Sequence, residues 1–320
     1  MEKKIFKLIQ KYHTIVVARH IGPDPDAIAS ELALRDSIKL TFPDKNVYAV
    51  GLGVAKFKEY GSLDKSPEIK EDSLLIVVDV PNIARIDGVN FSDFKDVIKL
   101  DHHPLEDKMG KCEIIDEKAS SAAEIIANLI FNTKLKMDEN VASNLFLGIA
   151  SDSDRFLLPT TTPKTFNVVS KLINDYHLDL KRLYNILYER PVSEFKFQAF
   201  LALNMTITEN GFAYMKITSD MVKEYNVDSG TASNLVNNFN YLKGIYSWAF
   251  VTYDERAELY KVNIRSRGPI INAIAAKYNG GGHKYAAGAR IKNEDDVDKL
   301  FYDLNEACRE YIQSNNLEGK

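Results

Sequence analysis

Ser73-Leu74-Leu75-Ile76-Val77-Val78 is apolar at nearly every position and runs straight into Asp79. A strand with one wet face alternates; a run without alternation belongs to a strand covered on both faces, as in parallel sheets. Thr14–Ala18, Val47–Leu52 and Val97–Leu100 are further strand candidates, and Ala27–Leu40 between the first two carries apolar residues at helical spacing. Strands alternating with helices predict a doubly wound α/β domain over the first half of the chain. Ligands of such sheets gather at the carboxyl ends of the strands. Those ends carry His20, Asp24 and Asp26 after the first strand, Asp79 after the third, and Asp101-His102-His103 after the fourth.

The first of these loops reads His20-Ile21-Gly22-Pro23-Asp24-Pro25-Asp26. Each proline disfavours helical backbone in the residue before it, so Gly22 and Asp24 are expected to be extended. Residues two apart in an extended segment project to one side, roughly 7 Å apart. Asp24 and Asp26 could then hold two different cations, which lie about 3.5–4 Å apart in two-metal phosphoesterases. Taken alone, Asp-Pro-Asp reads first as a helix cap at Asp24 or Asp26 plus a turn; the rest of the chain is what favours ligands. Further along, Ser121-x-x-Glu124 predicts a capping box over Ala122–Phe131. Asp138 should cap a helix that ends near Ala150 and runs into Ser151-Asp152-Ser153-Asp154. Acids at a helix C-terminus oppose its dipole and need a compensating charge, which a metal at Asp152 would supply.

Six candidate ligands result: His20, Asp24, Asp26, Asp79, His102 and Asp152. Mixed imidazole and carboxylate donors suit Mn²⁺, with Fe²⁺ or Zn²⁺ behind it. Four carboxylates balance two divalent cations, with Asp79 bridging. His20 and Asp24 would complete one site, and Asp26, His102 and Asp152 the other. A water between two such ions loses its proton near neutral pH and can attack phosphorus. His103, one residue past a ligand, is placed to contact a phosphoryl oxygen or protonate a leaving oxygen. Asp101 would orient its neighbours from behind.

Helices are expected at about Pro163–Asp175 and Asp179–Leu187, and Glu189-Arg190-Pro191 reads as a boundary. It divides residues 1–189, a catalytic metal-binding domain, from residues 190–320, a smaller α/β domain with a mixed sheet. The second part predicts a connecting helix over Ser193–Asn204, a strand over Phe212–Ile217 and a helix over Thr231–Leu242. A hairpin of Ile245–Tyr253 and Leu259–Ser266 turns at Asp254-Glu255-Arg256, and a helix follows from Pro269 to about Tyr278. A glycine turn at Gly280-Gly281-Gly282-His283, a strand near Ala287–Ile291 and a helix over Asp295–Ser314 close the chain. Arg265 and Arg267, two apart on a strand, would face one side, and arginine forks take phosphate bidentately. The glycines let backbone amides approach an anion, with His283 beside them. Arg267 could equally be a solvated strand residue, and the glycines a helix C-cap with a flexible turn.

The chain has 45% hydrophobic and 27% charged residues and a formal net charge of −4, which argues against a broad basic surface for long nucleic acid but leaves room for a local positive cleft. Two cysteines, Cys112 and Cys308, without CxxC spacing suggest neither a disulfide framework nor a thiolate zinc site. With no signal core and no membrane-length apolar run, the expected location is the cytoplasm.

His20-x-x-x-Asp24-x-Asp26, Asp79, Asp101-His102-His103 and Asp152 resemble the four motifs of the DHH phosphoesterase superfamily. Arg265-Ser266 with Gly280-Gly281-Gly282-His283 resembles the DHH-associated C-terminal domain. The resemblance covers nearly the whole chain and is greatest to the bacterial nanoRNase/pAp phosphatase group. It implies a Mn²⁺-dependent phosphodiesterase and phosphatase with its active site in the cleft between two domains. The implied substrates are short single-stranded oligoribonucleotides and 3′-phosphoadenosine 5′-phosphate (pAp). Arg265, Ser266, Arg267, Gly281, Gly282 and His283 would bind substrate; long duplexes and membranes are not implied, and a homodimer is compatible. The alternatives are a phosphodiesterase for cyclic or linear dinucleotides and, from another class, a nucleotide-sensing module without turnover. Pro25 in the first motif and Val80-Pro81 after Asp79 depart from the pattern without removing a ligand.

Overall fold

A computed structural model describes residues 1–317 apart from 54, 71 and 256. The chain forms two compact units, Met1–Glu189 and Arg190–Lys320.

The first unit runs α1 (Glu2–Lys11), β1 (Thr14–Ala18), α2 (Pro25–Thr41), β2 (Asn46–Val50), β3 (Ser73–Val78), β4 (Asp96–Asp101), β5 (Cys112–Ile115), α3 (Ala122–Phe131), α4 (Glu139–Asp152), α5 (Pro163–Tyr176) and α6 (Leu180–Tyr188). Its five strands are all parallel, in the order β2-β1-β3-β4-β5. Chain order reverses between β1 and β3, the switch point where an open α/β sheet leaves a crevice. Alternate residues of β3 face opposite cores. Leu74, Ile76 and Val78 pack with the helices, while Leu75 and Val77 join Val16, Val80, Phe94 and Met109. The unbroken apolar run is thereby explained. Short 3₁₀ turns at Ile83–Arg85 and Phe91–Asp93 lie in the β3–β4 crossover, and their neighbours Ile86 and Phe94 help close the second core.

β5 escaped the sequence reading, being four residues long and mostly half-buried. At the start of α3 the Ser121 hydroxyl accepts the Glu124 N–H at 3.1 Å. The reciprocal half of the expected capping box is missing. The Glu124 carboxylate instead accepts from the Ser120 N–H and hydroxyl and from the Thr165 hydroxyl, tying α3 to α5.

The second unit runs α7 (Val192–Asn204), β6 (Thr206–Ile207), β7 (Phe212–Ile217), α8 (Ser219–Glu224), α9 (Ser229–Asn234), β8 (Ser247–Asp254), β9 (Leu259–Ser266), α10 (Asn272–Ala276), β10 (Gly281–His283), β11 (Ala286–Ile291) and α11 (Glu294–Ser314). Its mixed sheet has the order β10-β11-β9-β8-β7-β6, with only β7 and β8 parallel. On one face α11 lays down Val297, Leu300, Phe301, Leu304 and Cys308, an apolar stripe at helical spacing. On the other, Phe197 and Leu201 of α7 and the 229–239 segment cover Met215, Trp248 and Phe250.

Three expectations here need correction. The helix over Thr231–Leu242 is α9 followed by a 3₁₀ segment, Leu235–Phe239, through a stretch whose asparagines favour turns. The helix expected from Pro269 starts at Asn272, and the Pro269 carbonyl instead accepts the Ser266 hydroxyl at 2.6 Å. Gly281–His283 is not a turn but an edge strand paired with β11. A Cβ at Gly280 would meet the Gly288 carbonyl oxygen at 2.1 Å, and one at Gly282 (φ +130°) the Ala286 carbonyl oxygen at 2.6 Å, so both positions need glycine. In the β8–β9 connection, Arg256 lies outside the described residues. No helix among the described residues is long and apolar enough to cross a membrane.

Candidate metal centre and active site

Asp79 follows the last residue of β3 with φ +56°, a left-handed conformation that Asp and Asn tolerate better than other side chains. Its N–H is held by the Leu100 carbonyl at 3.0 Å, and the residue is 1% exposed. That turn aims the two carboxylate oxygens in different directions. Oδ2 lies 3.6 Å from His20 Nε2, and Oδ1 lies 3.4 Å from His102 Nε2 and 3.4 Å from His103 Nδ1. Oδ1 is buried yet has no hydrogen-bond partner among the described residues. An orphaned anionic oxygen between imidazoles is what a cation-binding position requires.

The candidate ligands fall into three sets whose donor atoms lie within 4.8 Å of one another: His20, Asp24 and Asp79; Asp26, His102 and Asp152; and Asp79, His102 and His103. The first two sets share no residue; Asp79 belongs to the first, and its Oδ1 approaches His102 of the second at 3.4 Å.

Asp24 is extended (φ −97°, ψ −178°) and caps α2, accepting the Ala27 N–H at 3.0 Å. Both roles that the sequence left open for it are thus available at once. Two details of the loop differ from expectation. Gly22 is left-handed (φ +68°), not extended. Pro25 begins α2, so Asp26 sits in the first helical turn and diverges from Asp24, because residues two apart on a helix do not face one another. The Asp26 carboxylate is fully buried against the start of α3, accepting from Ala122 N at 2.8 Å, Ala123 N at 3.1 Å and Ser30 Oγ at 3.2 Å. A Cβ at Gly148 of α4 would stand 2.6 Å from Asp26 Oδ1 and 2.6 Å from the Ala123 Cβ. Gly148→Ala is therefore expected to cost about 1–3 kcal/mol of stability through overpacking and to weaken metal uptake. Thermal unfolding and a metal titration check this; an unchanged midpoint with full uptake would show that Asp26 can move aside.

Ligand orientation is set from behind. His20 Nδ1 lies 3.0 Å from the Ile21 carbonyl oxygen, a pairing that leaves Nε2 for a cation. Arg19, fully buried, donates to the His20 carbonyl at 3.0 Å and the Leu52 carbonyl at 2.7 Å, and pairs with Glu31 and Asp87, so the ends of β1 and β2 are stitched together. Burial opposes charge on both imidazoles, yet their carboxylate partners prevail. Asp24 and Asp79 raise His20 to about 10, and Asp79, Asp26 and Asp152 raise His102 to about 10. Burial would also raise Asp79, but the His102 and His20 imidazoles that face its carboxylate hold it well below the usual carboxylate range. Burial, with Asp24 and Asp79 nearby, lifts Asp152 to about 7 against the pull of His102. Asp26 is pushed well above its ordinary value by burial first and by Asp79 and Asp152 next. Such a donor set favours a cation, since divalent metal replaces protons on crowded ligands.

His103 differs from its neighbour. Asp101 Oδ1 accepts both its Nδ1–H at 2.8 Å and its backbone N–H at 3.2 Å, and the ring is 30% exposed by side chain. Sequence reasoning missed the group beneath. Lys99, 0% exposed, stands 3.3 Å from Asp101 Oδ2 and donates to the Pro81 carbonyl at 2.9 Å and the Asp107 carbonyl at 3.4 Å. One ammonium thus joins the strand before His103 to the loops after Asp79 and His103, and anchors the Val80-Pro81 departure. Lys99→Met should lower stability by about 3–5 kcal/mol, because Asp101 would be left buried without its counter-charge. Denaturant unfolding measures this, and adding Asp101→Asn should recover part of the loss.

The second unit gathers its own set. Arg265 closes a rung of the sheet with Ala286 and His283. Its Nε donates to Asn237 Oδ1 at 2.8 Å. Arg267 lies one residue past β9, where it donates to the Ile245 and Asn240 carbonyls. Ser266 is buried, with its hydroxyl donating to the Pro269 carbonyl and accepting from Gly268 N–H. Gly281, Gly282 and His283 are exposed along β10.

Oxygen and imidazole donors clustered at the switch point of a parallel sheet could hold a metal ion, as a metal-dependent phosphoesterase needs. The family profile described as the N-terminal domain of the DHH family matches residues 14–149, and that of the DHHA1 domain matches residues 209–310. The chain belongs to the DHH family and is a hydrolase of that phosphoesterase class. It is 36% identical over 315 residues to the bifunctional oligoribonuclease and PAP phosphatase NrnA of Bacillus subtilis, covering 97% of this chain and 100% of that one. A probable NrnA of Streptococcus mutans is 35% identical, covering 94% and 97%. Among solved structures, an exopolyphosphatase-related protein from Bacteroides fragilis superposes with a TM-score of 0.86 at 22% identity, over 97% of this chain and 96% of its own, which establishes the fold.

Proposed function

We propose that this protein hydrolyses short single-stranded oligoribonucleotides to mononucleotides, and pAp to AMP, using two divalent cations, foremost Mn²⁺. The observation that carries the reading is the divided aim of the Asp79 carboxylate, one oxygen towards His20 and the other towards His102. The names of the NrnA relatives supply the substrate classes. His20 and Asp24 would hold one ion and Asp26, His102 and Asp152 the other, with Asp79 between them. When bound, the pair supplies an activated water and neutralises charge on the phosphoryl oxygens. His103, its Nδ1 held by Asp101, presents Nε2 as the proton donor to the leaving oxygen. In the second unit Arg265, Gly281, Gly282 and His283 would hold a substrate phosphate, with Ser266 and Arg267 shaping the turn that follows Arg265. Residues 1–189 would act as the catalytic half and residues 190–320 as the binding half.

The test is a Mn²⁺ turnover panel of pAp, cyclic and linear dinucleotides, di- to pentanucleotides and a 20-mer, with oligonucleotides labelled at either end. Fast release of mononucleotides from the short RNAs supports the reading. Turnover confined to cyclic dinucleotides, or equal rates on short and long strands, would replace it.

A further inference from the structure

On one face of the second unit's sheet, the 229–239 segment covers the β7–β8 half, reaches β9 through Ser233 and Asn237, and leaves the β11–β10 edge open. Strand register arranges β9, β11 and β10 in three rungs. The first is Arg265, Ala286 and His283; the second is Asn263, Gly288 and Gly281; the third is Lys261 and Arg290. Residues two apart on a strand share a face, so all three rungs face the same way. They follow each other at about 6.8 Å, and the first and third are about 13–14 Å apart. That interval is comparable to one nucleotide of an extended single strand per rung.

The second and third rungs floor a trough of about 1080 Å³ that lies within this unit and is walled by α8 and α9 on one side and Asn279–Gly281 on the other. The middle rung is small, and a Cβ at Gly281 would meet nothing within 4 Å. Lys223, Lys261 and Arg290 line the trough against Asp254 and Glu255. Lys261 is paired with Asp254 at 2.5 Å, while Arg290 has no ion-pair partner among the described residues. Cations at the far end, a narrow neutral floor in the middle and Arg265 with His283 at the near end form a ladder of anion positions, as single-strand tracks do.

We propose that this trough is the track for the body of an oligonucleotide, with Lys261 and Arg290 holding a backbone phosphate two nucleotides along from the phosphate held at Arg265 and His283. The proposal rests on the reading that the second unit binds substrate phosphate, and it makes these two residues the ones that sense substrate length. A dinucleotide does not reach the third rung; a tetra- or pentanucleotide does.

The experiment measures binding of 5′-phosphorylated, fluorescent di- and pentanucleotides by anisotropy, with turnover suppressed by Asp79→Asn. Lys261→Ala/Arg290→Ala should weaken pentanucleotide binding about tenfold more than dinucleotide binding. The salt dependence of pentanucleotide binding should also flatten by about 0.7 in log–log slope for each phosphate that is no longer neutralised. Unchanged pentanucleotide affinity, or equal losses for both lengths, would overturn the track. The two claims fail separately. If the unaltered protein turns over no oligonucleotide, the proposed activity falls, while the length-dependent binding is still read directly.

Discussion

Asp79→Asn is expected to lower turnover at least about 10³-fold, the rate equivalent of the several kcal/mol that metal ions contribute to phosphoryl chemistry. Asparagine suits the left-handed backbone at this position as well as aspartate does, so the β3 turn should persist. What disappears is the second anionic oxygen, and with it the link between the His20 and His102 groups. Metal analysis should therefore show reduced occupancy in a protein whose thermal unfolding is close to that of the parent. Full occupancy with normal turnover would end the view that Asp79 bridges two ions. Asp79→Ala is the less informative variant, because it adds backbone strain to the loss of a ligand.

His103→Ala is expected to keep the metal content of the parent and to lose about 10²–10⁴-fold in rate, the range of general acid–base catalysis. The motive is geometric. His103 makes a direct hydrogen bond to Asp101, whereas His102 faces Asp79 and Asp152. A substrate whose leaving group needs no proton should lose far less in this variant. Loss of a metal ion would make His103 a ligand, as its 3.4 Å approach to Asp79 Oδ1 would permit.

The carboxyl-edge placement of His20, Asp79 and His102 was legible because each follows a strand whose apolar run is hard to read otherwise. Convergence of separate strand ends, more than any one motif, pointed to the centre. Other features left little trace. Lys99 looks like a solvated strand residue, since nothing local shows that its ammonium meets two loop carbonyls and a buried carboxylate. Gly148 reads as a weak point in a helix until Asp26 and Ala123 are seen against it. The contact between Asp26 and the start of α3 spans nearly a hundred residues and has no local signature. β10 is two glycines and a histidine, and only its register with β11 makes it a strand.

That strand has a bearing on how the molecule tolerates itself in a crowded solution. β10 is the margin of its sheet, and a sheet margin of unpaired amides and carbonyls invites other chains to add on. Three residues give a newcomer too few rungs for lasting adhesion, and two of them have no side chain to grip. The protein can keep bare backbone at that margin, where we propose that a substrate phosphate binds, without that margin offering a template for self-association.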